Sequence, residues 1–532
     1  MSDDGLKEQV DNLIRIGIAL SSQQNVDELL EMIVDESRRF TRADAGTLYT
    51  VSPDGSQLDW RIIQNDSLGT RVGGTSRVEV NPSVYKPVPL IANGQVNLSN
   101  VSAYAANTGQ LVNIPDVYEA EGFDFTGPRL YDKATGYRSR SMLVVPMKRR
   151  EGEVIGVLQL LNASDGSRGD VVPFSPEFEG LTSSLASQAA VAITNAQLIK
   201  ELRDLFDAFI RSIASAIDEK SPYTAGHVKR VTDLTMMLAE EVNRSDAACW
   251  EHVHFGDAEL EALRISAWMH DVGKITTPEH IVDKATKLSA IYDRVNAVQL
   301  RYEVMKRDTE IAAMREKLSL YEGGAKALET EEIDRRLRGA LQDLDEEFGF
   351  LKRCNRGSEF MDDEDVARLR EIGSRPCGEG VGDLTRLTVD EVHNLSIRKG
   401  TLTGEERTVI NNHVAVTIKI LSQLPFSGQF KRVPEFAGGH HEKLNGRGYP
   451  AGLEGDQLPL QARLMAVADV FEALTAPDRP YRKPMLLSGA LSILEDSARK
   501  GELDERVVQL LVDSGIAGRY AKRELQKEQI DS

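Results

Sequence analysis

Five histidines and two aspartates, spread between positions 227 and 469 and each set in a short motif, constrain this chain most tightly. They are His227 in TAGHVKRV, His270 and Asp271 in MHDVGK, His413 in NNHVAV, His440 and His441 in GGHHEKLNGRGYP, and Asp469 in ARLMAVADVFEALT. Imidazole with carboxylate suits a hard-to-borderline cation such as iron, manganese, nickel or zinc. The three cysteines, Cys249, Cys354 and Cys377, form no CxxC pair, so neither a thiolate metal site nor a disulfide framework is expected. Seven ligands exceed the needs of one ion. Sharing Asp271 between two ions uses them all, and a two-metal site suits phosphodiester hydrolysis. The other histidines, His252, His254, His280 and His393, lack ligand company and read as solvated.

Charge narrows the range of partners. In 532 residues, 64 basic side chains face 83 acidic ones, a net charge of −19. A nucleic-acid-coating protein would carry a basic footprint instead. The 41% hydrophobic content suffices for real cores and rules out a wholly disordered chain. The N-terminus, MSDDGLKEQV, has no basic n-region before an apolar run, and no stretch of about 18 apolar residues occurs. A cytoplasmic protein with no membrane partner is the expectation.

Residues 1–180 mix helical and strand signals. Helices are expected around Leu13–Leu20 and from Val26 to Phe40, and strands at Gly46–Val51, Met142–Pro146 and Val154–Leu161. The turn Glu151-Gly152-Glu153 makes the last two a hairpin. From residue 181 to 217 the pattern becomes one long helix, with Ile199, Leu202, Phe206, Phe209, Ile213 and Ile217 in steps of three and four. It reads as a connecting helix that also forms a homodimer, or as a helix packed on its own domain. Two further heptad-like runs, Ile291–Met305 and Ile333–Leu351, flank Gly323-Gly324 and suggest an antiparallel helical hairpin.

The motifs HDVGK (270–274), the histidine pair, GRGYP (446–450) and DRPYR (478–482) resemble the HD-GYP branch of the HD-domain phosphohydrolases. The match runs over about 205–288 and 403–500. The resemblance implies an all-helical bundle whose di- or tri-metal centre hydrolyses cyclic di-GMP to pGpG or GMP. By that resemblance one ion is held by His227, His270, Asp271 and Asp469, and the other by Asp271, His413, His440 and His441. Lys274 would face the substrate phosphate, with Tyr449, Arg479 and Arg482 as further substrate contacts, and Asp271 and Lys274 as the catalytic pair. Some members complete a third metal site with a glutamate four residues before the first histidine. Here that position is Tyr223, so two divalent ions are expected, iron or manganese ahead of nickel or zinc. The spacing from Asp271 to His413 is also far longer than the family's, so 289–402 reads as an insertion between KATKL and TGEER.

Residues 10–195 resemble a GAF domain, notably NIPDVYEAEGFDF (113–125), TGYRSRSMLVVPM (135–147) and GEVIGVLQLLN (152–162). Of the branch motif for cyclic-nucleotide binding, Asn162, Phe174 and Glu179 match, while Ala163 and Phe178 replace its lysine and aspartate. Another small-molecule ligand, or a dimerising role alone, is then open, with Asp116, Thr135 and Arg138 as pocket candidates. The expected architecture is multidomain. An α+β GAF sensor (1–180) and a connecting helix (181–217) precede an all-α HD-type bundle (218–288 and 403–532) with a helical insertion (289–402). Another cyclic dinucleotide or nucleotide as substrate, or a catalytically weak signalling scaffold, are the rival functions.

Overall fold

The computed structural model describes residues 25–92, 94–149, 152–165, 169–220, 226–323, 327–357, 360–378, 384–476 and 484–531. The helix expected around Leu13–Leu20 lies outside them. The chain divides into two compact units, 1–206 and 207–532.

The first unit is α+β. Helix α1 (Val26–Thr41) is followed by strands β1 (Ala43–Val51), β2 (Gln57–Asn65), β3 (Thr70–Gly73), β4 (Val88–Pro89), β5 (Ile91–Ala92) and β6 (Gln95–Val96). Next come α2 (Val101–Thr108), β7 (Val112–Ile114), α3 (Thr126–Thr135), β8 (Met142–Lys148), β9 (Val154–Ser164) and β10 (Val171–Val172). The antiparallel sheet runs β3-β2-β1-β9-β8-β7, with β4 beside β2 and β10 beside β9; β5 and β6 pair separately. The two-residue period of a strand explains how this sheet serves two cores. Leu143, Val145, Leu158 and Leu160 pack with Leu29 and Ile33 of α1 and with Leu185, Ala189 and Ile193. Their neighbours Val144 and Val157 join Leu58, Val101, Ala105 and Phe125 in the other core.

The matched positions of the cyclic-nucleotide motif have structural work here. Asn162 adopts a left-handed backbone, accepts from Arg140 N and donates to Arg138 O. Glu179 accepts from Asn113 Nδ2 at 2.7 Å. Asp116 meets Arg140 at 3.1 Å, Thr135 Oγ1 donates to Tyr131 O, and Arg138 lies over the Tyr118 ring.

One long helix, α4 (Pro176–Asp218), begins in the first unit and ends in the second. It begins five residues before the sequence pattern suggests.

The second unit is helical. Its elements are α5 (His227–Arg244), α6 (Asp257–Met269), a 3-10 helix (Val272–Thr276), α7 (Glu279–Val282), α8 (Val295–Glu322), α9 (Ala327–Asn355), α10 (Asp363–Ser374), α11 (Val389–Leu395), α12 (Gly404–Leu421) and α13 (Val433–Gly438). Then follow α14 (Leu460–Thr475), α15 (Leu487–Arg499), α16 (Glu505–Asp513) and α17 (Ile516–Glu524). One core joins Leu234 and Leu238 of α5 to Leu464 and Phe471 of α14, Leu494, Leu511 and Tyr520. A second gathers Ile210, Ile217, Ile265, Met269, Leu421 and Phe436.

Helices α8 and α9 form an antiparallel hairpin, as the ladder of pairs between them shows: Tyr302–Glu347, Lys306–Asp345, Lys317–Asp334 and Glu316–Arg336. The hairpin is not the whole segment. Helices α10 and α11 add Leu369, Ile372 and Leu395 to a core with Val298, Tyr302, Met305, Leu344 and Leu351. Ile291 does not join this seam: it precedes α8 and is 96% exposed. Both ends of the segment are stapled by the lysines of KATKL. Buried Lys284 donates to Glu406 of TGEER at 2.7 Å and to Asn394 Oδ1 at 2.8 Å. Lys287, fully buried, donates to Leu395 O at 3.1 Å and Ile397 O at 2.5 Å.

Candidate metal centre

All seven sequence-derived ligands converge in the second unit. His227 opens α5, His270 caps the end of α6, and Asp271 precedes the 3-10 helix. His413 lies within α12, His440 and His441 follow α13, and Asp469 lies within α14. Asp271 is the hub. Its Oδ2 lies 3.6 Å from His227 Nε2 and 3.3 Å from His270 Nε2, and its Oδ1 lies 3.3 Å from His413 Nε2. Asp469 Oδ1 is 3.4 Å from His227 Nε2. The ring centroids of His440 and His441 lie 4.1 Å apart with the planes tilted by 41°, and those of His413 and His441 lie 5.3 Å apart. Two sets of possible ligand atoms result: His227, His270 and Asp271, and His413, His440 and His441.

Three of these rings are oriented by the same device. His270, His413 and His440 each donate Nδ1–H to the carbonyl three residues earlier: Ala267 at 2.7 Å, Ile410 at 2.5 Å and Ala437 at 2.6 Å. That bond assigns the proton to Nδ1 and leaves the Nε2 lone pair facing the cluster, the usual support for a metal-bound imidazole. Buried Nε2 of all three, and Asp271 Oδ1, have no hydrogen-bond partner. Orphaned acceptors are costly unless something satisfies them. A cluster of inward-facing lone pairs around a buried carboxylate fits cations.

Charge in the cluster is divided. Burial and the neighbouring His441 and His270 hold His440 well below the usual imidazole pKa. Burial likewise pushes His441 down to about 4. Burial also opposes charge on His227, but Glu472, Asp271 and Asp469 outweigh it and hold that ring well above the usual value. Burial acts to raise Asp271 too, yet Lys274 and His270 keep its carboxyl well below the usual range.

Lys274 stands 2.5 Å from Asp271 Oδ2. The 3-10 helix that carries it is held from two sides. Lys220, just beyond α4, donates to the carbonyls of Lys274, Ile275 and Thr277 at 3.1, 2.6 and 2.6 Å. From α12, Thr417 Oγ1 accepts from Gly273 N at 2.9 Å and donates to His270 O at 3.0 Å. Tyr449 lies against His441, ring centroids 4.9 Å apart. Tyr223, Arg479 and Arg482 lie outside the described residues.

Three supporting residues escape a reading of motifs alone. Glu472, fully buried, meets His227 Nδ1 at 2.5 Å and Arg230 Nη2 at 2.7 Å. A signal exists: Arg230 and Glu472 each stand three residues after a ligand, on the same helical face. Glu442, following the histidine pair, accepts from the backbone of Ala451, Gly452 and Leu453 at 2.7, 3.2 and 3.0 Å and gathers the GYP loop. Gly448 is required there, since a Cβ would lie 2.3 Å from Lys443 N.

Comparison with known proteins agrees with both halves. A family model described as a GAF domain matches residues 25–193, and models described as HD domains match residues 224–342 and 389–507. The chain carries a GAF-type α+β domain followed by a largely helical HD region. It is 42% identical over 326 residues to 3'3'-cGAMP-specific phosphodiesterase 3 of Vibrio cholerae, covering 61% of this chain and 43% of that protein. Over 132 residues it is 36% identical to the cyclic di-GMP phosphodiesterase response regulator RpfG of Xanthomonas campestris, 24% of this chain and 33% of the relative. Over 222 residues it is 28% identical to a cyclic di-GMP phosphodiesterase of Thermotoga maritima, 38% of this chain and 56% of the relative. The chain thus spans less than two thirds of each of these relatives.

Proposed function

We propose that this chain is a metal-dependent phosphodiesterase of the HD-GYP type that hydrolyses cyclic di-GMP to pGpG or GMP. The observation carrying the reading is the convergence of His227, His270, Asp271, His413, His440, His441 and Asp469 around orphaned, inward-facing ligand atoms. His227, His270, Asp271 and Asp469 would hold one divalent ion, and Asp271, His413, His440 and His441 a second. Iron or manganese is the first choice and nickel or zinc the second, from the mixed imidazole–carboxylate donors. Such ions supply Lewis acidity and an activated water for attack at phosphorus.

The chain's own residues do the rest. Asp271 bridges the two ligand sets, and Lys274 places a cation beside them to stabilise charge developing on the phosphate. Tyr449, whose phenol burial pushes well up and so keeps protonated, offers a hydrogen-bond donor and a ring to the substrate. Arg479 and Arg482 are assigned to phosphate binding by their motif.

A second reading, 3'3'-cGAMP as substrate, is favoured by the long alignment with the Vibrio protein of that specificity. Parallel turnover assays on the two dinucleotides, with metal content measured on the same samples, separate the readings. Hydrolysis of cyclic di-GMP by wild type and none by Asp271→Ala supports the proposal. Turnover of 3'3'-cGAMP alone shifts the substrate. A fully metallated wild type that cleaves neither is a scaffold. Three tightly held ions per chain would overturn the two-ion assignment.

The domain division that accompanies this function is a GAF sensor at 1–180, a connecting helix at 181–217, and a catalytic bundle at 218–288 and 403–532 interrupted at 289–402. Along α4, Leu198, Leu202 and Leu205 are exposed in steps of four and three, which supports a homodimer through this helix. We assign the GAF domain a regulatory role, with or without a small-molecule ligand. Unchanged turnover and unchanged oligomeric state after deletion of residues 1–180 would count against it. No described helix is long and apolar enough to cross a membrane; the cytoplasm is the proposed compartment.

A further inference from the structure

Helix α8 carries two apolar faces where its hairpin needs one. Val298, Tyr302, Met305 and Ala313 are buried. On the opposite side run Leu300, Val304, Ile311, Met314, Leu318 and Tyr321, all between 43% and 67% exposed. With Arg307 in the one gap, these positions advance by 4, 3, 4, 3, 4 and 3 residues, an a/d spacing held over three heptads. Arg307 sends its guanidinium to Glu310 at 2.5 Å, which leaves its alkyl stem to cover the seam. An apolar stripe of this extent on a charged helix marks an association surface.

We infer that α8 pairs antiparallel with α8 of a second copy of this chain. The flanking charges select both the occupant and its direction. Setting Ile311 against the partner's Met314 brings Asp308 to the partner's Arg315, Glu310 to the partner's Lys317 and Arg301 to the partner's Glu322, each pair occurring twice by symmetry. All are opposite in sign. A parallel pairing keeps two attractive pairs, Glu310 with the partner's Arg315 and Lys317 with the partner's Glu322, but sets Glu303 against the partner's Asp308, which repel.

Several of these side chains already have partners within the chain. Lys317 meets Asp334, and Arg301 meets Glu391. Asp308 and Arg315 do not: neither enters an ion pair among the described residues, Arg315 is exposed, and Asp308 is half-buried with Oδ2 turned into its own chain. The Asp308–Arg315 pair is therefore the contact the second copy would complete.

Two measurements on the full-length chain test this, and neither depends on the substrate. In sedimentation equilibrium, Asp308→Arg and Arg315→Asp should each weaken self-association about tenfold, and the double reversal should restore it. A contact through α4 contributes equally to every variant, so the differences read α8. A parallel pairing predicts instead that Asp308→Arg tightens association. In a Cys249→Ser background, a short bis-maleimide should couple two chains carrying Ile311→Cys but not two carrying Leu300→Cys. The antiparallel register sets the two copies of position 300 about 37 Å apart along the axis, from a rise of about 1.5 Å per residue. Coupling at both positions or neither, a monomeric wild type, or charge reversals that leave the association unchanged or tighter would each overturn the inference.

Discussion

His227 is anchored by Glu472 on the side away from the ligand cluster: Nδ1 lies 2.5 Å from Oε2, while Nε2 faces Asp469 and Asp271 at 3.4 and 3.6 Å. The carboxylate fixes which ring nitrogen points inward, and Arg230 holds the carboxylate in turn. Replacing Glu472 by leucine removes that orientation and leaves Arg230 without its buried partner. Metal affinity should fall about 10- to 100-fold. Competitive chelator titration, with circular dichroism to establish that the variant is folded, checks this. Unaltered affinity would show that the Glu472 contact only braces α5 against α14.

Lys274 belongs to a different class of contribution. Its ammonium sits 2.5 Å from Asp271 Oδ2 and is held in place by the capped 3-10 helix, yet it is no ligand. Lys274→Met should keep the wild type's metal content by elemental analysis while lowering kcat by about 10²–10³, the usual cost of deleting one preorganised charge-stabilising donor. A parallel loss of metal would instead make Lys274 a support for Asp271.

The residues that converge at the candidate site were legible in sequence because imidazole and carboxylate recur there in short, ordered motifs. The sheet was legible where the hydrophobic period is short, as at Val154–Leu161, where Val157 and Leu158 face separate cores. Glu472, Arg230 and Glu442 were harder to see: their partners are distant in sequence or are backbone groups, and only the three-residue spacing of Arg230 and Glu472 from His227 and Asp469 hints at the first two. The seam Ile291–Met305 misled by one residue: apolar spacing continues past the start of α8, but the backbone leaves the helix there. The second seam of α8 was hidden for the opposite reason. Two apolar faces superimposed on one helix blur the periodicity each would show alone.

Gly273 sets a steric limit on the site. A Cβ there would lie 1.9 Å from His413 O and 2.7 Å from Thr417 N, both backbone atoms that cannot swing away. Gly273→Ala should destabilise the second unit by at least the ~1–3 kcal/mol typical of overpacking, and should lower metal occupancy by separating Asp271 from His413. Gly518→Ala is the control. It lies in α17 with open space around the new methyl, so helix propensity should leave stability unchanged or raise it by up to ~1 kcal/mol. Chemical denaturation of both variants separates the effects.

Away from the candidate metal centre, Asp504 ties the bundle's acid stability to two arginines. It caps α16 through Arg506 N at 3.0 Å, and its Oδ2 accepts from Arg463 at 3.0 Å and Arg506 at 2.9 Å. Burial pushes its carboxyl up, but these bonds more than offset the effect and hold it below the usual carboxylate range. The folded state therefore binds this proton less readily than the unfolded chain, whose carboxyl titrates near about 4. The stabilisation is fully present above that value and is lost as pH falls through the folded pKa. Asp504→Asn keeps the cap but removes the charge, and at pH 7 it should cost about 1.5–3 kcal/mol, the range for hydrogen bonds to charged groups. Below about pH 4 the wild type's advantage over Asp504→Asn should shrink progressively. Urea unfolding of both proteins across pH 3–7 measures it, and equal stability of the two at pH 7 would show that Asp504 acts through the cap alone.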